Sequence, residues 1–133
     1  MVLGHGDYRY QHEPILYGWA KNASHVFYGD RTQTTIWNID RPVASREHPT
    51  MKPIALIVKA VTNSSKAEDV IVDLFLGSGS TLIAAEQTNR ICYGMELEPK
   101  YCDVIVSRYC KLVGSNKVVR NGEEIEWHDG NGD

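Results

Sequence analysis

The stretch DLFLGSGST, Asp73–Thr81, decides how the rest of the sequence is interpreted. It continues the apolar run DVIVDLF (69–75), which is typical of a buried parallel strand, and it precedes TLIAAEQT (81–88), which favours a helix. Gly77 and Gly79 stand where a backbone must turn sharply and approach a ligand closely. The stretch therefore predicts a strand, a ligand-binding loop and a helix, and we call residues 75–79 the glycine loop.

Segments on both sides continue this alternation of strands and helices. Upstream, Pro53 opens an amphipathic pattern that ends at NSS (63–65), which predicts a helix of about ten residues. Downstream, RICYGMEL (90–97) predicts a second strand, and Pro99 opens a helix that Gly114 is placed to cap. Strand, helix, strand, helix is the doubly wound α/β signature. The apolar face predicted for the last helix consists of Tyr101, Val104, Ile105, Tyr109 and Leu112.

The two ends of the chain have a different character. Residues 1–47 contain the β-prone pieces ILYGWA, HVFYG and TTIWNI, separated by turn-like residues, and predict a strand-rich N-terminal segment. The α/β core is assigned to residues 48–114. Residues 115–133 form an acidic tail, in which 121–133 predict a short hairpin or disorder.

Composition excludes several classes of protein. With 133 residues, 42% of them apolar, the chain has the size and composition of one domain. Its three cysteines lack the spacing of a zinc or disulfide framework, and no apolar run is long enough for a membrane span, so we expect a cytoplasmic protein without a metal. The net charge is −3, without a strongly basic segment, which predicts weak or no DNA binding by this chain alone.

An acidic residue strengthens the interpretation of the glycine loop. Glu96 ends the second predicted strand, 19 residues after Gly77, about where a carboxylate that accepts hydrogen bonds from a ribose diol is expected. The phosphate-binding loop of ATP-binding proteins is disfavoured because no lysine precedes the Ser or Thr. NAD is disfavoured but stays open, since Leu82 replaces the third glycine of its fingerprint. S-adenosylmethionine has no phosphates, and Asp73, the two glycines and Glu96 suit it.

Three motifs in order now carry a resemblance to a known family. D-x-F-x-G-S-G-S-T at Asp73 and G-M-E-L-E-P-x-Y at Gly94 resemble the cofactor motifs of the DNA amino-methyltransferases of the β class. HPTMKP (48–53) resembles a third motif, which precedes the glycine loop in that class, and YQHEPILYGW (10–19) resembles the strand segment before it. The resemblance covers roughly residues 8–112. It implies a partial Rossmann-like S-adenosylmethionine-dependent methyltransferase fold.

The resemblance also implies roles for individual residues. Asp73 is expected near the methionine ammonium and Glu96 at the ribose hydroxyls. Leu74 replaces the proline common in the family and is expected to point into the strand's packing. Phe75 could equally belong to the core, and Thr81, like Ser80, could equally cap the helix. The residues expected around the methionine part and its carboxylate are Thr50, Lys52, Phe75, Gly77, Ser78, Gly79 and Thr81.

The catalytic motif of the family, D/N/S-P-P-Y/F, is not found in these 133 residues. Its oxygens accept the hydrogens of the target amine, and its aromatic ring stacks on the flipped base. The motif needs two adjacent prolines, and the five prolines stand apart at positions 14, 42, 49, 53 and 99. No catalytic residue is therefore assigned. The resemblance implies a C-terminal, cofactor-binding part of an enzyme that methylates adenine or cytosine in DNA, with the DNA held by an upstream part.

Two further expectations follow from that arrangement. The isolated chain should be inactive, or it should be a binding module that completes a methyltransferase in trans. In the family the strand at 69–75 pairs on its other side with the strand that carries the catalytic motif, so this edge should be open here. We expect residues 8–42 to fold over the edge, or two chains to associate through it.

Overall fold

A computed structural model describes residue 7 and residues 11–40 and 51–129 of the chain. Helices and strands alternate from Ile54 to Val113, as the sequence predicts. Proline precedes or opens two of the three helices, where its missing N–H costs nothing. The elements are α1 (Ile54–Ser64), β1 (Val70–Asp73), α2 (Ser80–Gln87), β2 (Ile91–Gly94), α3 (Pro99–Val113), β3 (Lys117–Arg120) and β4 (Glu123–Glu126).

Strands β1 and β2 form a parallel pair, and the loop and helix that join them lie beside it. The register pairs Val70 with Ile91 and Asp73 with Gly94, so both strands end at the same edge. Helix α2 packs between α1 and α3, with Ala84 and Ala85 completely buried. Small side chains there let the helices approach closely, and α2 also packs against β2. The other buried apolar residues are Val61, Ile83, Ile105 and Cys110.

The apolar face of α3 is only partly the one predicted. Ile105 is buried as expected, but Tyr101 and Leu112 are exposed, and Cys110 is buried in their place. Gly114 does cap the helix: it takes the left-handed conformation (φ 68°), and its N–H donates to the Cys110 carbonyl at 2.9 Å.

The predicted N-terminal strands do not form in residues 11–40, which contain no helix or strand. A strand needs a hydrogen-bonded neighbour, and this segment lies against the end of α1 instead of beside a strand. The Tyr28 N–H donates to the Asn63 carbonyl at 2.8 Å, and the side-chain amides of Gln33 and Asn63 exchange hydrogen bonds of 2.8 and 2.9 Å. The return of this segment over the β1 edge is therefore not observed for residues 11–40.

The outer edge and one face of the β1–β2 pair are open in the described part of the chain. The Asp69 and Asp73 carbonyls accept bonds from Ile91 and Met95, so the main-chain groups of Val72 point the other way, where no strand is described. The side chain of Val72 is also 62% exposed, and that of Tyr93 is 64% exposed. Strands of this type are normally covered on both faces.

The acidic tail contains a hairpin, the first of the two alternatives given for residues 121–133, but it begins earlier, at Lys117. β3 and β4 pair antiparallel, with Lys117 opposite Glu126, and Asn121 and Gly122 make the turn with φ of 54° and 88°. Positive φ at both turn residues matches the right-handed strand twist, which explains the Asn-Gly pair. Trp127 then donates from Nε1 to Oγ of Ser107 at 3.0 Å, so the chain after the hairpin is attached to α3.

The described residues also bear on the expectations about membrane spans and metal sites. Across residues 7, 11–40 and 51–129, no helix has the length and apolar character required to cross a bilayer. The same ranges contain no cluster of His, Cys, Asp and Glu side chains placed to hold a metal ion.

Candidate functional site

The glycine loop and Glu96 meet where β1 and β2 end. Oε2 of Glu96 accepts a hydrogen bond from the Gly77 N–H at 2.7 Å. Oε1 accepts from the N–H groups of Leu97 and Glu98, each at 3.0 Å. These bonds hold the pKa of Glu96 below its ordinary value, with the Glu98 N–H contributing most to the lowering and the Gly77 N–H next. At neutral pH this site therefore presents a half-buried carboxylate, fixed in position by backbone donors.

Asp73 ties the two ends of the glycine loop together. One carboxylate oxygen accepts from the Phe75 N–H at 2.9 Å, and the other accepts from the Thr81 hydroxyl at 2.6 Å. Because β1 ends at Asp73 and α2 begins at Ser80, the carboxylate spans the loop from strand to helix. Asp73 is therefore part of the loop's own framework. Each oxygen keeps an acceptor position for a further donor.

Both loop glycines adopt positive φ, 57° at Gly77 and 82° at Gly79. At Gly77 this brings the N–H to Glu96. At Gly79 there is a second reason for the missing side chain: a Cβ there would lie 3.1 Å from Cγ1 of Ile105 on α3. Gly79 is buried and caps the start of α2, so the loop lies directly against α3.

Neither hydroxyl at the start of α2 caps the helix. The Thr81 hydroxyl donates to Asp73, as described, and the Ser80 hydroxyl donates to the main-chain carbonyl of Lys52 at 3.2 Å. The helix cap has no side-chain hydrogen bond. The interpretation of these two residues as caps is therefore wrong. Ser80 thus joins the start of α2 to Lys52, in the described part of the HPTMKP segment.

Other predicted site residues lie differently from expectation. Phe75 is 90% exposed and belongs to no core, and Leu74 is exposed rather than packed into the strand. The Lys52 ammonium pairs with the carboxylate of Glu13, from the YQHEPILYGW segment. Ser78 is half-buried within the loop. Thr50 lies outside the described residues.

Sequence reasoning missed the contribution of α3. Arg108 donates from Nη1 to the Ser78 carbonyl, and Sγ of Cys102 lies 3.7 Å from the Glu96 carbonyl oxygen. With Ile105 against Gly79, α3 contacts both parts of the site. The spacing of three residues between these positions puts them on one helix face. Only Ile105 was distinguishable as a packing residue, since polar contacts to a distant main chain leave no periodic signal.

Comparison with known proteins adds independent information. A family model described as DNA methylase matches residues 7–107. The type II methyltransferase M.Cfr9I of Citrobacter freundii is 34% identical over 80 residues, which are 60% of this chain and 27% of the relative. The type II methyltransferase M2.MboI of Moraxella bovis is 36% identical over 89 residues, or 63% of this chain and 32% of the relative. The chain thus spans about a third or less of these relatives.

A solved structure gives the same result for the fold. The crystal structure of the M1.HpyAVI–SAM complex superposes with a TM-score of 0.57 and 28% identity, covering 67% of this chain and 46% of that one. This likeness confirms the predicted methyltransferase type of α/β fold, present here in part.

Proposed function

This chain belongs to the DNA methylase family, and we propose that it is the part of such an enzyme that binds S-adenosyl-L-methionine. The observation that carries the proposal is the hydrogen bond between Gly77 and the Glu96 carboxylate. It brings together a glycine loop that lacks the lysine of phosphate-binding loops and a carboxylate able to accept hydrogen bonds from a ribose. The cofactor in the M1.HpyAVI–SAM complex supports the choice of ligand.

The ribose would be held by Glu96 in a specific way. A carboxylate offers about four acceptor positions, and three of those of Glu96 are taken by main-chain N–H groups. The remaining position is on Oε2, the oxygen that already bonds Gly77. A ribose hydroxyl would therefore bind beside the glycine loop, on the side where the methionine part of the cofactor must pass.

The methionine part would lie along the glycine loop, with its ammonium and carboxylate groups beside side chains that can bind them. Asp73 retains acceptor positions for the ammonium group. Thr50 and Lys52 are proposed to lie near the cofactor carboxylate. Lys52 would exchange Glu13 for that carboxylate, which is an exchange of one exposed ion pair for another. The main chain of Phe75, Gly77, Ser78 and Gly79, with Thr81 behind it, would form the loop wall.

Methyl transfer is proposed to need groups beyond these residues. The target amine must be polarised and aligned with the sulfonium methyl, and alignment supplies much of the rate in such reactions. The sequence contains no pair of adjacent prolines and hence no D/N/S-P-P-Y/F motif. DNA would be held by another part of the enzyme, because a net charge of −3 gives little attraction for phosphates. Adenine and cytosine both remain candidate targets.

The open edge of β1 favours a second form of the same proposal. If the chain works as a separate module, the main chain at Val72, which has no strand partner among the described residues, and the exposed sheet face would receive the part that carries the catalytic motif. The chain would then complete a methyltransferase in trans. A homodimer through the same edge is the competing use of this surface.

Calorimetry and an activity assay test the proposal together. Titration of the purified chain with S-adenosylmethionine should release or absorb heat with one site per chain, whereas ATP and NADH should give none. A methylation assay with tritiated cofactor and DNA should stay at background. Binding of NADH instead would show that the ligand is misassigned, and turnover would show that the catalytic groups are.

A further inference from the structure

The face of α3 that carries Cys102, Ile105 and Arg108 contacts both halves of the candidate site. At one end, Sγ of Cys102 lies 3.7 Å from the main-chain oxygen of Glu96. In the middle, Ile105 packs where a Cβ of Gly79 would be. At the far end, Arg108 donates to the Ser78 carbonyl. One helix face thus reaches from the main chain of Glu96 to the glycine loop.

Arg108 is an unusual residue for such a position. The guanidinium is half-buried, and burial lowers its pKa, yet arginine stays charged in proteins. In the described part of the chain, no carboxylate lies within ion-pair distance of it. A partly desolvated charge is costly unless it is hydrogen-bonded, and here the acceptor is the Ser78 carbonyl of the glycine loop. The bond is therefore of the stronger, charge-assisted kind.

The orientation of this one carbonyl affects the loop on both sides. The preceding residue, Gly77, donates its N–H to Glu96, and the following residue, Gly79, donates its N–H to the Leu76 carbonyl at 2.9 Å. Rotation of the peptide after Ser78 would move the Gly79 N–H out of that turn. Gly77 and Gly79, which both adopt positive φ, have no side chain to restrict their backbone. The loop therefore depends on contacts from outside to hold its conformation.

We propose that Arg108 is a positioning residue for the cofactor loop: by holding the Ser78 carbonyl against α3 it keeps the glycine loop and Glu96 at the separation that S-adenosylmethionine requires. The cofactor part of this inference rests on the function proposed above. The part concerning the loop does not, because it concerns the order of the loop without a ligand.

The experiment compares Arg108→Met, Arg108→Lys and Lys111→Met in the full chain. Lys111 lies on the same helix, and its ion pair with Asp129 (3.4 Å) is exposed, so its replacement controls for the loss of a cation from α3. Two quantities are measured: hydrogen exchange of the Gly77 and Gly79 amides without ligand, and the dissociation constant for S-adenosylmethionine.

Arg108→Met should accelerate exchange at both glycine amides and weaken cofactor binding about tenfold, the loss expected for one charge-assisted bond. Arg108→Lys, which keeps a donor, should recover part of both, and Lys111→Met should match the unsubstituted chain. Equal exchange in Arg108→Met and Lys111→Met, or acceleration spread evenly over all helices, would overturn the inference. If the unsubstituted chain binds no cofactor while its loop amides still respond to Arg108→Met, the proposed function fails and the positioning role stands.

Discussion

The Glu96 carboxylate accepts a hydrogen bond of 2.7 Å from the main chain of Gly77, a residue 19 positions earlier in the sequence. This bond joins the segment just after β2 to the glycine loop that follows β1. Parallel strands make such a meeting possible, since their carboxyl ends lie at the same edge of a sheet. The geometry of the candidate site therefore depends on a main-chain donor as much as on the acidic side chain.

The bond between Asp73 and Thr81 should stabilise the loop measurably. Thr81→Val removes the hydroxyl and leaves one oxygen of a half-buried carboxylate without its partner, which should cost about 1 kcal/mol of unfolding free energy. Thr62→Val is the matched control, because its hydroxyl donates only to carbonyls of its own helix, Val58 at 2.8 Å among them. Urea unfolding measures both. Equal losses in the two variants would contradict the structural role given to Asp73.

Gly79 and Gly114 offer a paired test of why glycine stands in the loop. Both adopt positive φ, 82° and 68°, so alanine should cost about 1–2 kcal/mol at either position through the backbone alone. At Gly79 the new Cβ also meets Ile105 at 3.1 Å, whereas at Gly114 nothing lies within 4 Å. Gly79→Ala should thus lower the thermal midpoint further than Gly114→Ala. The reverse order would show that α3 does not press on the loop.

The lowered pKa of Glu96 predicts a pH dependence of stability. A carboxyl whose pKa is lower in the folded state contributes stability above its unfolded pKa and loses it as pH falls through the folded value. The unfolding free energy of the chain should therefore exceed that of Glu96→Gln at neutral pH, and the difference should shrink on acidification below the ordinary glutamate pKa. Denaturant midpoints at a series of pH values give this difference. A difference that grew towards acid would show that the backbone donors do not favour the charged form.

The outer edge of β1, which has no partner strand among residues 11–40 and 51–129, predicts association of two chains. Size exclusion with light scattering should give about twice the chain mass of 15.0 kDa at high concentration. Val72→Pro should restore the monomer, since proline is tolerated in an edge strand but blocks further pairing. A monomer at every concentration, before and after the substitution, would remove the dimer and leave the edge for a different chain.

The part of the fold that could be predicted from sequence is the part with local signals. The run at 69–75, the two glycines and the prolines at 53 and 99 locate β1, the loop and the helices within a few residues. The N-terminal pieces have equally good β propensity but form no strand in residues 11–40, because pairing partners are a property of the whole sheet.

The candidate site was predictable to the same extent. Glu96 and the loop glycines follow from their spacing, and the structure brings them together. The internal bonds of Asp73 and the pairing of Lys52 with Glu13 could not be foreseen, because each polar side chain had several partners available in sequence. The contact of Arg108 could not be predicted for a related reason: its acceptor is a main-chain carbonyl 30 residues away.

The most direct test of the account is the affinity of the chain for S-adenosylmethionine with and without the Glu96 carboxylate. Glu98 is the matched control, being an exposed acidic side chain two residues away. In titration calorimetry the unsubstituted chain and Glu98→Gln should bind alike, and Glu96→Gln should bind about tenfold or more weakly, as expected for the loss of a hydrogen bond to a charged group. Equal affinity in all three chains would contradict the assignment of Glu96 and the glycine loop as the cofactor site.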